Sequence, residues 1–67
     1  MTEHVIERAV EGVLEFRLNR PEKFNALSPA MLHSLAEAVE RFAHDSALRV
    51  MLISANGAYF SSGVEVT

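Results

Sequence analysis

The stretch that decides the fold runs from Ser28 to Ala43 and reads SPAMLHSLAEAVERFA. The Ser28 hydroxyl can cap an unpaired backbone N–H, and proline is well tolerated at the first position of a helix. Apolar side chains then recur at spacings of one, three and four residues, namely Met31, Leu32, Leu35, Ala36, Val39, Phe42 and Ala43. This pattern predicts an amphipathic helix of about four turns with one wide apolar stripe. The polar pair Asp45-Ser46 is expected to end the helix.

A β-hairpin is predicted before the helix. Residues 13–18 alternate between the two faces of a half-buried strand, and their apolar face carries Leu14, Phe16 and Leu18. Residues 4–10 form a mixed apolar and charged segment before it. Glu11-Gly12 lies between the two segments and is a turn signal, because glycine tolerates a positive φ. We therefore expect two paired strands joined at Glu11-Gly12.

A third strand is predicted after the helix. Residues 49–54 form an almost continuous apolar run, as expected for a strand covered on both faces, and Asn56-Gly57 then gives a turn signal. The order β-β-α-β followed by a loop predicts an α/β fold. One helix can cover only one face of the sheet, so we expect residues 1–67 to be a single, truncated domain. Its remaining apolar surface and strand edges would be buried by further chain or by oligomerisation.

Composition narrows the classes of function. The 67 residues carry nine acidic and six basic side chains without any run of like charge, so no nucleic-acid partner is expected. The chain has no cysteine, which excludes disulfides, thiolate metal sites and a cysteine nucleophile. The first residues lack the pattern of a signal peptide. The longest apolar stretch, Val50 to Ile53, is too short to span a bilayer, so we expect a cytoplasmic protein without a membrane partner.

Three stretches of the sequence, residues 18–27, residues 31–53 and residues 56–65, together resemble the enoyl-CoA hydratase/isomerase (crotonase) superfamily. Residues 18–27, LNRPEKFNAL, closely resemble the family segment LNRPEKxNAL. The helix and residues 45–53 look like the helix and strand that follow in the family, and residues 56–65, NGAYFSSGVE, are similar to its AFCAGADL loop. Order and spacing match from about residue 13 onward. The resemblance implies that the chain is the N-terminal β-β-α-β portion of a crotonase-like fold, which is built from ββα repeats.

The resemblance also implies an activity. Crotonase-like enzymes bind acyl-CoA thioesters and stabilise an enolate-like thioester oxygen with two backbone N–H groups. By motif match Val64 supplies one of these N–H groups, and Gly63 before it lets the backbone turn and approach the thioester. The second donor, a glycine N–H, and the carboxylates of the hydratases lie further along the family pattern. The chain on its own is therefore expected to be inactive.

A coenzyme A site is implied by the same motifs. The residues that map onto it are Lys23, Phe24, Ala26, Ser62, Val64, Glu65 and Val66. Lys23 would act as a point charge toward the CoA phosphates, and the small Ala26 would leave room for the ligand. Coenzyme A is here part of the substrate, so no separate cofactor is expected. Family members are typically trimers or hexamers, which implies a homo-oligomer. Val64-Glu65 replaces the usual Ala-Asp, so the acyl preference stays open. The choice between hydration, isomerisation and another family reaction also stays open, because it is set by residues later in the family pattern.

Several single residues also have simpler interpretations. His33 with Glu37 and Glu40 with His44 are pairs spaced four apart on the polar helix face, and such exposed pairs are usually modest surface interactions. No third ligand lies near them in the sequence, so no metal site is expected. Ser61 and Ser62 do not form a nucleophile elbow. The phenylalanines are interpreted first as core residues, namely Phe16, Phe24, Phe42 and Phe60.

A second hypothesis belongs to another class of protein. The uncovered strand faces favour association, and the chain could be a non-catalytic module that retains the N-terminal fold of the family. Such a module would bind a second copy of itself or a longer relative. Its oligomeric state and its affinity for a CoA thioester would separate the two hypotheses.

Overall fold

The computed structural model describes residues 4–64 of the chain. Within them lie the strands β1 (Val5–Val10), β2 (Val13–Leu18) and β3 (Val50–Ala55) and the helix α1 (Pro29–His44), with a short 3-10 turn at Pro21–Lys23. The predicted β-β-α-β order and the α/β class are therefore confirmed. Within the same residues, no helix has the length and apolar character needed to cross a membrane.

The predicted hairpin is present with the expected turn. β1 and β2 pair antiparallel from Val10 opposite Val13 to Val5 opposite Leu18. Glu11 has a φ of 51° and Gly12 a φ of 83°. Two positive φ angles are the requirement of the two-residue turn whose twist matches that of the strands it joins. Glycine at the second of these positions therefore fixes the register of the hairpin.

β3 pairs in parallel with β2, so the sheet order is β1-β2-β3 and α1 is the crossover between the two parallel strands. The crossover begins as predicted, because the Ser28 hydroxyl accepts a hydrogen bond from the Met31 N–H at 3.2 Å. Asp45 is the C-terminal cap of α1. The Arg49 N–H donates to the Gly12 carbonyl at 2.7 Å, which joins the start of β3 to the hairpin turn.

The core lies between one face of the sheet and α1. Its buried side chains are Leu14, Phe16, Leu18, Met31 and Ala38, with Leu35 and Phe42 packed against them. The helical members follow spacings of four, three and four, which is a single stripe on the helix. The wide apolar stripe predicted from the sequence is therefore buried along only part of its width. A second row, formed by Leu32, Ala36, Val39 and Ala43, is exposed, because a helix lying on one sheet contacts it along only one side.

β3 also departs from its expected burial. Met51 and Ala55 pair with Leu14 and Leu18 and share the face that α1 covers. On the opposite face, Val50 is 52% exposed and Leu52 is 48% exposed. The apolar run thus forms a strand as predicted, but the described residues cover only part of one face, since Ile53 on the helix side is 42% exposed.

Candidate functional site

Two loops meet at one edge of the sheet. The first loop (residues 19–27) follows β2 and the second loop (residues 56–64) follows β3. Because β2 and β3 are parallel neighbours, their carboxyl ends leave the sheet side by side. The Asn56 N–H donates to the Leu18 carbonyl at 2.9 Å, and its side-chain Nδ2 donates to Asn19 Oδ1 at 2.9 Å. The two motifs recognised in the sequence, 37 residues apart at these asparagines, are therefore in direct contact.

Asn25 is the main link between the loops. Its side chain is fully buried, and its Nδ2 donates to the Asn56 carbonyl at 2.7 Å and to the Tyr59 carbonyl at 2.9 Å. Its Oδ1 accepts the Arg20 N–H at 2.7 Å. Asn25 and Phe24 both have a left-handed backbone, with φ of 55° and 52°. Asparagine is among the few residues that tolerate this conformation, so one residue type meets both the backbone and the hydrogen-bonding requirement.

The far end of the second loop is held by backbone bonds and by Ser61. The Ser62 N–H donates to the Phe24 carbonyl at 2.9 Å, and the Leu27 N–H donates to the Gly63 carbonyl at 2.9 Å. Ser61 Oγ donates to the Asn25 carbonyl at 2.8 Å and accepts the Gly63 N–H at 3.0 Å. Residues 61–63 therefore have fixed partners in the first loop or within their own turn.

Val64 is the residue whose N–H is predicted to contact a thioester oxygen. It forms a parallel bridge with Leu27, and in this bridge the acceptor of the Leu27 N–H is the preceding carbonyl, that of Gly63. The Val64 N–H makes no hydrogen bond with any residue of the range 4–64. Gly63 has a φ of 106°, a region that favours glycine. The backbone thus turns at Gly63, and the next N–H belongs to a residue that is 60% exposed.

A cavity of about 270 Å³ opens beside this turn and is lined by Phe24, Tyr59, Ser61 and Ser62. The rings of Phe24 and Tyr59 pack edge to face, with centroids 5.4 Å apart and planes at 84°. Both rings are largely exposed, at 57% and 61%. The interpretation of Phe24 as a core residue is therefore wrong. Phe60, also 57% exposed, fails in the same way, whereas Phe16 is fully buried and Phe42 packs against the core.

The predicted coenzyme A residues are distributed unevenly around this cavity. Phe24 and Ser62 line it, while Tyr59 and Ser61 line it without having been predicted. Lys23 is exposed at the end of the 3-10 turn, and Ala26 is half-buried within the first loop. Neither is part of the cavity wall among the residues that the structure describes. Glu65 and Val66 lie outside the described residues.

A polar network lies on the sheet face that α1 leaves open. Glu15 Oε2 accepts hydrogen bonds from Arg17 Nη2 at 2.6 Å and from Ser54 Oγ at 2.8 Å. These two hydrogen bonds lower the pKa of the Glu15 carboxyl below its ordinary value of 4.5. Arg17 Nη1 also donates to Asn56 Oδ1 at 3.3 Å. The network therefore connects the sheet to the first residue of the second loop.

The histidine pairs of α1 do not converge. His33 Nε2 lies 3.7 Å from Glu37 Oε1, with both side chains well exposed. His44 Nδ1 lies 2.9 Å from the backbone carbonyl of Glu40 rather than from its carboxylate. Within residues 4–64, no group of three His, Cys, Asp or Glu side chains is arranged to hold a metal ion.

Comparison with known proteins identifies relatives of this arrangement. The family model described as enoyl-CoA hydratase/isomerase matches residues 8–67. The mitochondrial Delta(3,5)-Delta(2,4)-dienoyl-CoA isomerase of Mus musculus is 36% identical over 61 residues, covering 91% of this chain and 19% of the relative. The mitochondrial enoyl-CoA hydratase domain-containing protein 3 of Homo sapiens is 45% identical over 56 residues, covering 84% of this chain and 18% of the relative.

Solved structures agree with these sequence relatives. An enoyl-CoA hydratase/isomerase from Pseudoalteromonas atlantica superposes with a TM-score of 0.91 at 35% identity, covering 94% of this chain and 25% of that one. A probable enoyl-CoA hydratase/isomerase from Mycobacterium abscessus gives a TM-score of 0.91 at 29% identity, covering 98% and 26%. The chain thus spans about a fifth of the length of the curated relatives and about a quarter of these structures.

Proposed function

The chain belongs to the enoyl-CoA hydratase/isomerase family, and from this premise we propose that its two loops form part of an acyl-CoA thioester site. In this proposal the Val64 N–H donates a hydrogen bond to the thioester oxygen. The observation that carries the proposal is the hydrogen bonding of the backbone N–H groups at residues 62–64. The N–H groups of Ser62 and Gly63 have partners within the loops, and the Val64 N–H has none among residues 4–64.

An N–H group in this position would act on charge that develops during the reaction. Proton removal next to a thioester carbonyl, or addition of water to the neighbouring double bond, moves negative charge onto the thioester oxygen. A donor that is already held in place stabilises this charge without reorganisation, and loss of one such donor typically costs about 3–4 kcal/mol. Because the donor belongs to the main chain, a valine at position 64 preserves it where other family members have alanine. The larger side chain would instead narrow the acyl pocket.

The cavity lined by Phe24, Tyr59, Ser61 and Ser62 is the proposed position of the ligand. The Phe24 and Tyr59 rings offer an apolar wall, and Ser62 offers a polar rim. Lys23, exposed at the end of the 3-10 turn, would attract the CoA phosphates as a mobile point charge. Ala26 would leave space at the loop, and Glu65 and Val66 would continue the wall. Coenzyme A enters as part of the substrate, and we propose no separate cofactor.

We propose a reaction of the enoyl-CoA hydratase/isomerase family and do not single out hydration or isomerisation. Relatives carry names of both hydratases and isomerases. The sequence contains one of the two expected N–H donors, and the family's acidic catalytic residues have no counterpart matched in it. We therefore expect the 67-residue chain to bind an acyl-CoA thioester without turning it over. A cytoplasmic location stays a prediction, and two relatives named above are mitochondrial.

The proposal is tested by the Val64 amide signal of the ¹⁵N-labelled chain. Titration with crotonyl-CoA should move the Val64 amide proton downfield, and titration with coenzyme A lacking an acyl group should not. Signals of Phe24 and Ser62 should move with both ligands, since these residues line the cavity. Equal responses of Val64 to the two ligands would exclude the N–H···oxygen contact. Hydration of crotonyl-CoA above the buffer rate would contradict the expected lack of turnover.

A second candidate function, self-association, is favoured by the exposed apolar row of α1. Leu32 is 36% exposed and Val39 is 48% exposed, and Ala36 and Ala43 lie between and after them on the same side. Light scattering over a range of concentrations tests it, with a trimer or hexamer as the expected species. Replacing Leu32 and Val39 by glutamine should then return the chain to a monomer. A monomer of the unaltered chain at high concentration would count against an assembly role.

A further inference from the structure

We propose that Asn25 and Ser61 are positioning residues that together fix the direction of the Val64 N–H. The proposal builds on the donor role suggested above for Val64, and it concerns two side chains for which the family resemblance gave no role. Neither side chain is charged, and neither is proposed to contact the reacting atoms. Each acts by holding the backbone of the second loop in one arrangement.

Asn25 fixes the beginning of the second loop. Its side-chain amide donates to two carbonyls of that loop, those of Asn56 and Tyr59, at 2.7 and 2.9 Å. The side chain is fully buried, so water cannot replace these bonds without opening the loop. The left-handed backbone at Asn25 is what aims the amide across to the second loop. Residues 56–59 are thereby tied to the first loop at two points.

Ser61 fixes the end of the same loop. Its hydroxyl donates to the Asn25 backbone carbonyl at 2.8 Å and accepts the Gly63 N–H at 3.0 Å. This engages the N–H that precedes Val64, and the Gly63 carbonyl on the other side of that residue accepts the Leu27 N–H at 2.9 Å. With the carbonyl of Gly63 directed at Leu27, the following N–H, that of Val64, points away from Leu27. The serine thus occupies the first of two consecutive amides and holds Gly63 where its carbonyl meets Leu27, which leaves the second amide to a ligand.

The backbone bonds from the Leu27 N–H to the Gly63 carbonyl and from the Ser62 N–H to the Phe24 carbonyl act together with Ser61, whereas the contacts of Asn56 and Gly57 lie at the base of the loops. Asn56 is bonded to Leu18 and Asn19 at the base of the loops, next to the sheet. Gly57 packs against Pro21 at the same end. Among residues 4–64, Ser61 is the side chain that bonds to the Gly63 amide, and its other partner is the backbone of Asn25. The two positioning residues are therefore coupled.

Amide hydrogen exchange of the ligand-free chain tests the proposal independently of any ligand. Ser61→Ala should raise the exchange rate of the Gly63 amide by about fivefold or more, the factor expected for one net hydrogen bond. The heteronuclear NOE of Val64 should fall at the same time. Ser61→Thr retains the hydroxyl and should restore both values. Ser34→Ala, a serine deletion on α1, should leave both unchanged.

Asn25→Asp gives the second arm, because it keeps the acceptor for Arg20 and removes both donors to the second loop. It should loosen residues 56–64 while the amides of β2 and α1 keep their exchange rates. A uniform rise in exchange across the sheet and helix would mean that Asn25 only stabilises the fold, and would overturn the proposal. A heteronuclear NOE of Val64 that does not change in Ser61→Ala would overturn the proposal as well.

Titration of the variants with crotonyl-CoA and with coenzyme A distinguishes failure of this proposal from failure of the proposed function. If Val64 of the unaltered chain responds to crotonyl-CoA, then Ser61→Ala should reduce that response while Phe24 still reports binding. An undiminished Val64 response in Ser61→Ala would refute the positioning role alone. If Val64 of the unaltered chain responds equally to crotonyl-CoA and coenzyme A, the donor role fails, and the exchange data still decide whether Asn25 and Ser61 fix the amide.

Discussion

Gly57 and Gly63 form a matched pair for testing how tightly the two loops are packed. Both have a positive φ, of 95° and 106°. A Cβ added at Gly57 would lie 2.8 Å from Pro21 Cβ, whereas a Cβ added at Gly63 would have no atom within 4 Å among the described residues. The change Gly63→Ala therefore introduces backbone strain alone, and Gly57→Ala introduces the same strain together with a collision.

The magnitudes of the two changes differ by the cost of the collision. An alanine in the left-handed half of φ space costs about 1–2 kcal/mol. The proline ring at residue 21 is rigid and cannot rotate away from the added methyl group, and overpacking of this kind costs a further 1–3 kcal/mol or so. We therefore expect Gly57→Ala to lower the free energy of unfolding by about 2–5 kcal/mol. At roughly 0.05–0.15 kcal/mol per residue, the whole chain has only about 3–10 kcal/mol.

Urea unfolding followed by far-UV circular dichroism measures both changes. Amide hydrogen exchange should accompany it, because the second loop can also relieve the collision by detaching locally, and the loss is then limited to the free energy of that opening. In that case the amides of residues 56–64 exchange faster in Gly57→Ala than in Gly63→Ala, and those of β2 do not. Equal unfolding free energies and equal loop exchange in the two variants would show that Pro21 and Gly57 are not in contact, and would refute the packing described here.

Three further changes test the core, the helix cap and the sheet network. Phe16→Ala, at a fully buried position, should lower the free energy of unfolding by about 3–5 kcal/mol, a large part of the total. Phe60→Ala, at a position 57% exposed, should cost much less, and similar losses in both would contradict the burial. Ser28→Ala should cost about 1 kcal/mol in urea unfolding and Ser28→Asp much less, because aspartate also caps a helix; an equal loss in the two would argue against the cap. Glu15→Gln should lower the free energy of unfolding near neutral pH. The difference in this free energy from the unaltered chain should shrink as the pH falls below 4.5, since a carboxylate whose folded pKa is lowered loses its stabilising effect on protonation. A difference independent of pH would show that the ionised carboxylate is not involved.

Local patterns in the sequence were sufficient for the elements and their order. The alternation at Leu14, Phe16 and Leu18 predicts a strand face, and all three residues are buried in the core. Ser28 and Asp45 predict the two ends of α1, and both cap it. Each of these inferences depends on residues within a few positions of each other, where the period of a strand or the unpaired N–H groups of a helix leave few alternatives.

Burial on α1 could not be predicted in the same way. Met31 and Leu32 are both large and apolar, and the sequence does not distinguish them. In the fold Met31 is 2% exposed and Leu32 is 36% exposed. Which of two neighbouring apolar rows faces the sheet depends on the position of α1 over the three strands, and this is a tertiary property. Phe24 and Phe60 fail for a related reason, because hydrophobicity alone does not separate a core ring from one at a cavity or on a loop.

The role of Asn25 was missed because its partners are far away in the sequence. Its side-chain bonds reach Asn56 and Tyr59, 31 and 34 residues further along. A signal was nevertheless present, since an asparagine between an aromatic residue and an apolar pair is a candidate for a left-handed backbone and for bonds to carbonyl groups. Val64, in contrast, was identified by motif match, and its role as an N–H donor stays a prediction.

Among the apolar surfaces that are exposed on the described residues, two restrict by their positions what could cover them. One is the row of α1 that contains Leu32 and Val39, and the other is the sheet face that contains Val50 and Leu52. The first lies on a flank of the helix, next to the row that faces the sheet, and the second lies on the face of the sheet away from the helix, so the two surfaces face different directions. A single flat partner cannot contact both. If association buries the α1 row, the sheet face around Glu15 and Arg17 still needs another layer, and glutamine substitutions on one surface should leave binding at the other unchanged.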